Sequence, residues 1–261
     1  MRRIYEPFGY GDGPVANSYW PQTVRQQNDW DVLDGEARCE TAIVGGGYTG
    51  LSAALHLAEA GEDIAVLETN TPGWGASGRN GGFCCLGGSA LDSDTLIRKH
   101  GEAEARSYYN AERRGVELVA ELLDRLGIEA DRHSQGETML AHRAQAIPEL
   151  KEYAHRMRAF HGVTCEVLPR EELAQHGLAS PAFHGAVTTP IGFALNPLKY
   201  VIGLARAAHH AGARIYAGSP VERMRRVDSD WELATPSGRL RARNVVCLLY
   251  TSDAADEHRD V

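Results

Sequence analysis

The residues best suited to chemistry in this chain are glycines. In "AIVGGGYTG" the spacing Gly45-x-Gly47-x-x-Gly50 falls where a short apolar run gives way to a helical pattern. Each glycine has a task in such a turn. Gly45 permits the tight bend, Gly47 lets backbone approach a diphosphate, and Gly50 lets the helix pack closely on its strand. Gly46, Tyr48 and Thr49 complete a cradle whose amides lie at the positive end of the helix dipole. Roughly 20 residues further on, Glu68 closes the apolar run "EDIAVLE", where a carboxylate accepts hydrogen bonds from ribose hydroxyls and repels a 2′-phosphate. FAD or NAD is therefore expected over NADP.

The elements that must hold this cradle are legible around it. "CETAIVGGG" is a β-type run starting near Cys39, and "YTGLSAALHLAEAG" puts Leu51, Ala54, Leu55 and Ala58 on one helical face until Gly61 stops it. Strand, glycine turn, helix and strand in that order predict a Rossmann-like α/β domain with a parallel sheet. Residues 1–38 read as an irregular arm. Residues 95–126 carry helical periodicity, "GETMLAH" and "FHGAVTTP" read as strands, and "AIPELKEYAHRMRAFHG" is a helix with Pro148 in its first turn. Asn196 and Pro197 open a further helix that runs to Gly212. "ARIYAG", "PVERMRRV", "WELATP" and "GRLRARNVV" then form a β-meander, with Arg223, Arg225 and Arg226 on its wet face.

Composition narrows the partner. With 261 residues, 43% of them hydrophobic and 24% charged, the chain is ordinary globular material. A net charge of -8 argues against nucleic acid and against anionic membrane, leaving a small molecule as the expected partner. No apolar run is long enough for a bilayer and the N-terminus lacks a signal-peptide core, so a cytoplasmic location is expected. Five cysteines in no framework spacing and eleven histidines in no HExxH arrangement predict reduced thiols and no metal site. Cys84 and Cys85 are neighbours whose side chains leave an extended backbone on opposite faces, which makes them packing residues rather than a joint ligand pair.

The segment after Glu68 separates the dinucleotides. An NAD enzyme ordinarily continues with helix and strand, but here the chain runs into "TPGWGASGRNGG". Together "AIVGGGYTGLSAALHLAEAG", "VLE" and "GWGASGRNGG" resemble the FAD-dependent amine and amino-acid oxidase family that includes D-amino acid oxidase, glycine oxidase and sarcosine oxidase. Within that family the likeness is greatest to γ-glutamylputrescine oxidase-like enzymes. "SYWPQT" at residues 18–23 is similar to that subgroup, and "SPVERM" matches the strand whose valine, Val221, meets adenine with its backbone. The resemblance covers most of residues 17–246.

The resemblance implies FAD as cofactor and a small amine or amino acid as substrate. It implies a discontinuous FAD-binding domain, residues 39–95 and 195–246, interleaved with a partial α+β substrate or cap domain at 96–194. Gly75, Ala76, Ser77, Arg79, Asn80, Gly81 and Gly82 become the loop that runs along the pyrophosphate and ribityl chain. There Arg79 offers a fork of donors to phosphate or the flavin edge, its alternative being a solvated loop charge; Asn80 serves backbone or ribityl oxygens. Ser77 either bonds a phosphate or caps a turn. The family's reaction passes hydride from the carbon beside an amine to the flavin, so the cofactor carries the hard chemistry and no catalytic residue is assigned in this chain.

The chain's end breaks the pattern. "CLLYTSDAADE", residues 247–257, resembles the translation of a sequencing adapter, so native sequence is expected to stop near Val246, truncated before the second glycine-rich flavin segment that the family resemblance implies. A natural acidic tail is the alternative. Two other functions use the same fingerprint: a nicotinamide-linked dehydrogenase, and a nucleotide-binding fragment without turnover.

Overall fold

The cradle sits on a six-stranded sheet whose first strand is longer than its apolar run. The computed structural model describes residues 18–24, 29–88 and 91–248. In chain order the elements are α1 (Tyr19–Gln22), β1 (Gly35–Val44), α2 (Tyr48–Glu59), β2 (Ile64–Leu67), β3 (Phe83–Cys84), α3 (Ser93–His100), α4 (Glu102–Leu126), β4 (Glu137–Leu140), α5 (Ile147–His161), β5 (Glu166–Pro169), β6 (Gly185–Thr189), β7 (Phe193–Ala194), α6 (Pro197–His210), β8 (Arg214–Tyr216), β9 (Arg223–Val227), β10 (Asp230–Ala234) and β11 (Gly238–Cys247). Short 3-10 turns cover Ala76–Gly78, Ala144–Ala146 and Arg170–His176. The chain divides into two compact units: residues 1–81, 126–130 and 196–261, and residues 82–125 and 131–195.

The first unit holds the sheet, ordered β8-β2-β1-β11-β10-β9. Strands β8, β2, β1 and β11 run parallel, and β10 and β9 fold back antiparallel as the expected meander. β2 is buried at every position, as a central parallel strand must be. Helix α2 buries Gly50, Leu51, Ala54, Leu55 and Ala58 and ends at Ala60, with Gly61 at φ 88°. Helix α6 starts at Asn196, whose Oδ1 accepts the Lys199 amide at 3.2 Å, and buries Leu198, Val201, Leu204, Ala205 and Ala208.

β1 begins at Gly35 rather than near Cys39, because Gly35 to Arg38 pair in register with Gly238 to Arg241. That extension is polar on one face, so it lacks the apolar run that marks β1 in the sequence. The same face carries an ion cluster: Glu232 on β10 is buried, bonded by Arg225 at 2.6 Å and approached by Arg241 at 3.7 Å. The Arg225 guanidinium holds the Glu232 carboxyl below the usual carboxylate range. Arg223, Arg225 and Arg226 are exposed on β9 but do not share one face, since Arg225 turns to Glu232 and the next residue, Arg226, lies over the Trp231 ring.

The second unit contains a three-stranded antiparallel sheet, β4-β6-β5, and the β3-β7 pair. The helical stretch expected at 95–126 is two helices, parted at Gly101, φ 87°, with Asp92 capping α3 through the Thr95 amide. α5 ends on Gly162 in the left-handed region. Among the described residues no helix is long and apolar enough to cross a membrane and no cluster of His, Cys, Asp and Glu is built for a metal.

Candidate functional site

The turn from β1 to α2 brings the fingerprint glycines to the end of the parallel sheet. Gly45 takes φ 111°, a conformation closed to most side chains, and its amide donates to Leu67 O at 2.9 Å. Gly47 is the N-cap of α2 and has no side chain to satisfy the helix amides. A Cβ on Gly47 would lie 2.9 Å from Ser77 Oγ, and one on Gly46 would lie 3.1 Å from Glu68 Oε2. On Gly50 it would fall 2.0 Å from the Gly45 carbonyl oxygen, the close helix-to-turn approach that only glycine permits. Tyr48 and Thr49 form the first turn of α2.

Glu68, directly after β2, points back into this turn. Its Oε2 accepts the Gly46 amide at 2.6 Å and its Oε1 accepts the Asn70 amide at 3.0 Å. Burial pushes its pKa up, opposed by these backbone donors. The strand-end carboxylate is thus held against the fingerprint backbone, where a ribose partner is expected from the sequence.

The second glycine segment repeats the geometry of the first. Gly73 has φ 80°, and a Cβ on Gly78 would fall 2.1 Å from the Gly73 carbonyl oxygen, as that of Gly50 does from Gly45. Each later glycine also faces a leucine methyl at 3.0 Å, Leu198 for Gly78 and Leu248 for Gly50. Gly73 N donates to Gly46 O at 3.0 Å, which ties the two turns together. Ala76, Ser77 and Gly78 form the short 3-10 turn just beyond, with Gly75 as its N-cap.

The polar residues of this loop work mostly on its backbone. Ser77 Oγ accepts the Tyr48 amide at 3.1 Å, so it caps the α2 N-terminus. Asn80 Nδ2 donates to Ala76 O at 3.1 Å, Ser77 O at 3.0 Å and Tyr48 Oη at 3.4 Å. Arg79 Nε donates to Gly75 O at 3.3 Å, and its guanidinium stacks 4.6 Å over the Trp74 ring. Gly81 closes the first unit; Gly82, φ 77°, opens the second, where its carbonyl accepts the Leu195 amide at 2.9 Å. Val221 lies between β8 and β9, not within a strand, and packs on the core around Leu33 and Leu240.

Several contributors lie in stretches that the sequence marks without giving these residues a role: Ser219 heads "SPVERM", Trp20 and Thr23 lie in "SYWPQT", and Asn196 opens α6. Buried Ser219 donates its amide to Glu68 O at 2.8 Å and accepts the Leu33 amide on its hydroxyl at 2.9 Å. Trp20 donates Nε1 to Asn80 O at 2.9 Å, and Asn196 Nδ2 donates to Thr23 Oγ1 at 2.8 Å. The irregular arm therefore contains a helical turn. An open groove of about 1070 Å³ against α2 and α6, lined by Leu55, Glu59, Ile128, Arg206 and His210 among others, includes none of the fingerprint residues. Cys84 and Cys85 are free thiols, with Cys84 on β3. Cys247 ends β11 paired with Val44, while residues 249–261 lie outside the described residues.

A helix N-terminus whose own N-cap, Gly47, has no side chain, bare glycine backbone and an inward carboxylate fit a diphosphate-linked dinucleotide. The comparisons with known proteins agree with that chemistry. The family model described as "DAO: FAD dependent oxidoreductase" matches residues 40–256. Gamma-glutamylputrescine oxidoreductase of Escherichia coli K12 is 31% identical over 231 residues, 88% of this chain and 53% of that protein. Glycine oxidase of Geobacillus kaustophilus is 28% identical over 211 residues, 80% of this chain and 54% of that protein. A crystal structure of glycine oxidase from Geobacillus kaustophilus aligns with a TM-score of 0.65 at 27% identity, covering 81% of this chain and 55% of that one. The chain thus spans about half the length of these relatives.

Proposed function

Because the chain belongs to the DAO family of FAD-dependent oxidoreductases, we propose that it holds FAD on the turn of residues 45–50 and serves the oxidation of a C–N bond in a small amine or amino acid. The observation that carries this reading is the pairing of the glycine-capped α2 N-terminus with Glu68 beside the Gly46 amide. Backbone amides of this turn beyond those bonded to Glu68 and Ser77 would hold the pyrophosphate, and Glu68 would accept from the adenosine ribose. Ser77, Arg79 and Asn80 keep the glycine loop folded where it would run beside the cofactor. When bound, the flavin supplies the two-electron acceptor for hydride leaving the carbon beside the amine nitrogen. Residues 39–95 with 195–246 form the cofactor domain on this reading, and residues 96–194 form part of the substrate domain, in a cytoplasmic enzyme.

Likeness to the Escherichia coli relative makes γ-glutamylputrescine the proposed substrate. The test is reconstitution of the purified chain with FAD, then anaerobic titration with γ-glutamylputrescine, glycine and sarcosine while flavin absorbance is monitored. Bleaching by the first and not the others supports the substrate. Bound flavin that no amine bleaches removes the catalytic part of the proposal, and protein that takes NADH but not FAD overturns it.

A further inference from the structure

We infer that the arm at residues 18–23 is a clasp that sets how long FAD stays bound, with Trp20 and Thr23 as positioning residues; this rests on the FAD reading above. The arm has no reason of its own to be ordered. Its helix, Tyr19–Gln22, is a single turn with no buried residue, and Tyr19 is 66% exposed. A turn that short is not self-supporting. What holds it is a pair of polar contacts, one to Asn80 of the glycine loop and one to Asn196 at the start of α6.

Those contacts close a circuit within the first unit. Trp20 Nε1 donates to Asn80 O at 2.9 Å. The Asn80 amide nitrogen donates to Tyr48 Oη at 3.4 Å, and Tyr48 Oη donates to Pro197 O at 3.2 Å. Beside Pro197, buried Asn196 donates from Nδ2 to Thr23 Oγ1 at 2.8 Å, and Thr23 Oγ1 donates to Trp20 O at 2.6 Å. The circuit thus joins the arm, the glycine loop, the first turn of α2 and the start of α6. Asn196 is committed twice, since its Oδ1 also caps α6 through the Lys199 amide.

The consequence is mechanical. The loop of residues 75–80 is fastened to α2 by Ser77 and by Asn80 through Tyr48 Oη, and to the arm by Trp20. Separating the loop from the α2 N-terminus breaks the Trp20 contact. A docked arm therefore opposes release of a dinucleotide held against both. By linkage the effect is reciprocal: a cofactor retained by the docked arm also stabilises the docking.

The test uses the whole chain loaded with FAD. Trp20→Phe keeps an aromatic ring and removes the Nε1 donor, and Thr23→Val keeps the shape and removes the hydroxyl. Release of FAD, read from recovery of free-flavin fluorescence after dilution, should be about fivefold faster in Trp20→Phe, the effect of losing one ordinary hydrogen bond, and at least as much faster in Thr23→Val, which loses two. Hydrogen exchange across residues 18–24 should slow when FAD is added to the wild-type chain, and less so in Trp20→Phe. If one variant fails to fold, the other supplies the rate. Equal release rates from folded variants overturn the clasp even where their apo forms melt earlier, as does arm exchange that ignores FAD. A wild-type chain that retains no FAD overturns the cofactor reading and the clasp with it, which separates the two failures.

Discussion

Glu68 Oε2 accepts the backbone amide of Gly46 across 2.6 Å, so the acid that ends β2 is already bound to the glycine turn it serves. Burial raises its pKa, which makes ionised Glu68 costly in the folded chain. A group with a raised folded pKa gives stability that is complete below its unfolded pKa and lost as pH rises through the folded one. Glu68→Gln, whose carbonyl can still accept from Gly46, should therefore melt at or above the wild-type temperature at pH 7. The gap should shrink as the pH is lowered toward the ordinary value of 4.5. FAD affinity should fall by roughly tenfold, because an amide accepts less strongly than a carboxylate from ribose. Paired thermal melts and FAD titrations decide it; a variant less stable at pH 7 with FAD affinity intact would contradict both statements.

Glu232 titrates in the opposite sense. Arg225 bonds its carboxylate and Arg241 adds charge nearby, so its folded pKa is depressed. Its stabilisation is present above the unfolded value and disappears as pH falls through the folded one. Glu232→Gln should lower the melting temperature at pH 7 by a few degrees, with the difference from wild type closing in acid and shrinking in high salt. A deficit that persists unchanged below the ordinary 4.5 would show that packing, not charge, is lost.

The Gly45 turn is legible in sequence, since three glycines at fixed spacing between a strand and a helix have few other uses. The matching turn at Gly73 and Gly78 is not, because its need for glycine comes from partners far along the chain. A Cβ on Gly73 would lie 2.2 Å from Val201 Cγ1, and no local pattern reveals that neighbour. Asn80 and Ser77 are visible as donors and acceptors, but their targets are backbone groups whose positions exist only once the loop is folded. Strand β1 reads short in sequence because its first residues, Gly35 to Arg38, carry no apolar run, and their polar side chains do not reveal the strand that pairs with them. Residues 18–23 carry a resemblance but no periodicity, since their turn is held by polar contacts from Trp20 and Thr23.

The paired glycine turns predict a matched loss. Gly50→Ala and Gly78→Ala each place a methyl about 2 Å from a fixed carbonyl oxygen, and each should cost roughly 3 kcal/mol in denaturant unfolding. Gly115, in the middle of α4 with nothing within 4 Å of its missing Cβ, is the counter-case. Gly115→Ala should stabilise by about 1 kcal/mol through helix propensity. Similar unfolding midpoints for all three variants would be incompatible with the close approaches described.

Arg79 should matter to the loop through two contacts, the bond to Gly75 O and the stack on Trp74. Arg79→Ala removes both and should weaken FAD retention. Arg79→Lys keeps the charge without the planar fork, and recovers little if geometry is what counts. Flavin content after gel filtration reads the outcome; full retention in the alanine variant removes Arg79 from the cofactor site.

Cys84, a packing residue on the sequence reading, has surroundings that make it a poor nucleophile. Burial pushes its thiol up to about 11, with neighbouring Cys85 adding to the rise and Arg132 opposing it. The ordinary value of 9.0 would leave roughly a hundredfold more thiolate near neutral pH. Iodoacetamide at pH 8 should therefore label Cys84 in the folded chain about a hundredfold more slowly than in urea. The folded rate should rise by about tenfold per pH unit while the thiol remains mostly protonated. Quantitative peptide mass spectrometry at several pH values distinguishes this from simple shielding, which slows labelling without steepening its pH dependence at alkaline pH. Rapid labelling at pH 8 would make Cys84 a group able to attack a ligand after all.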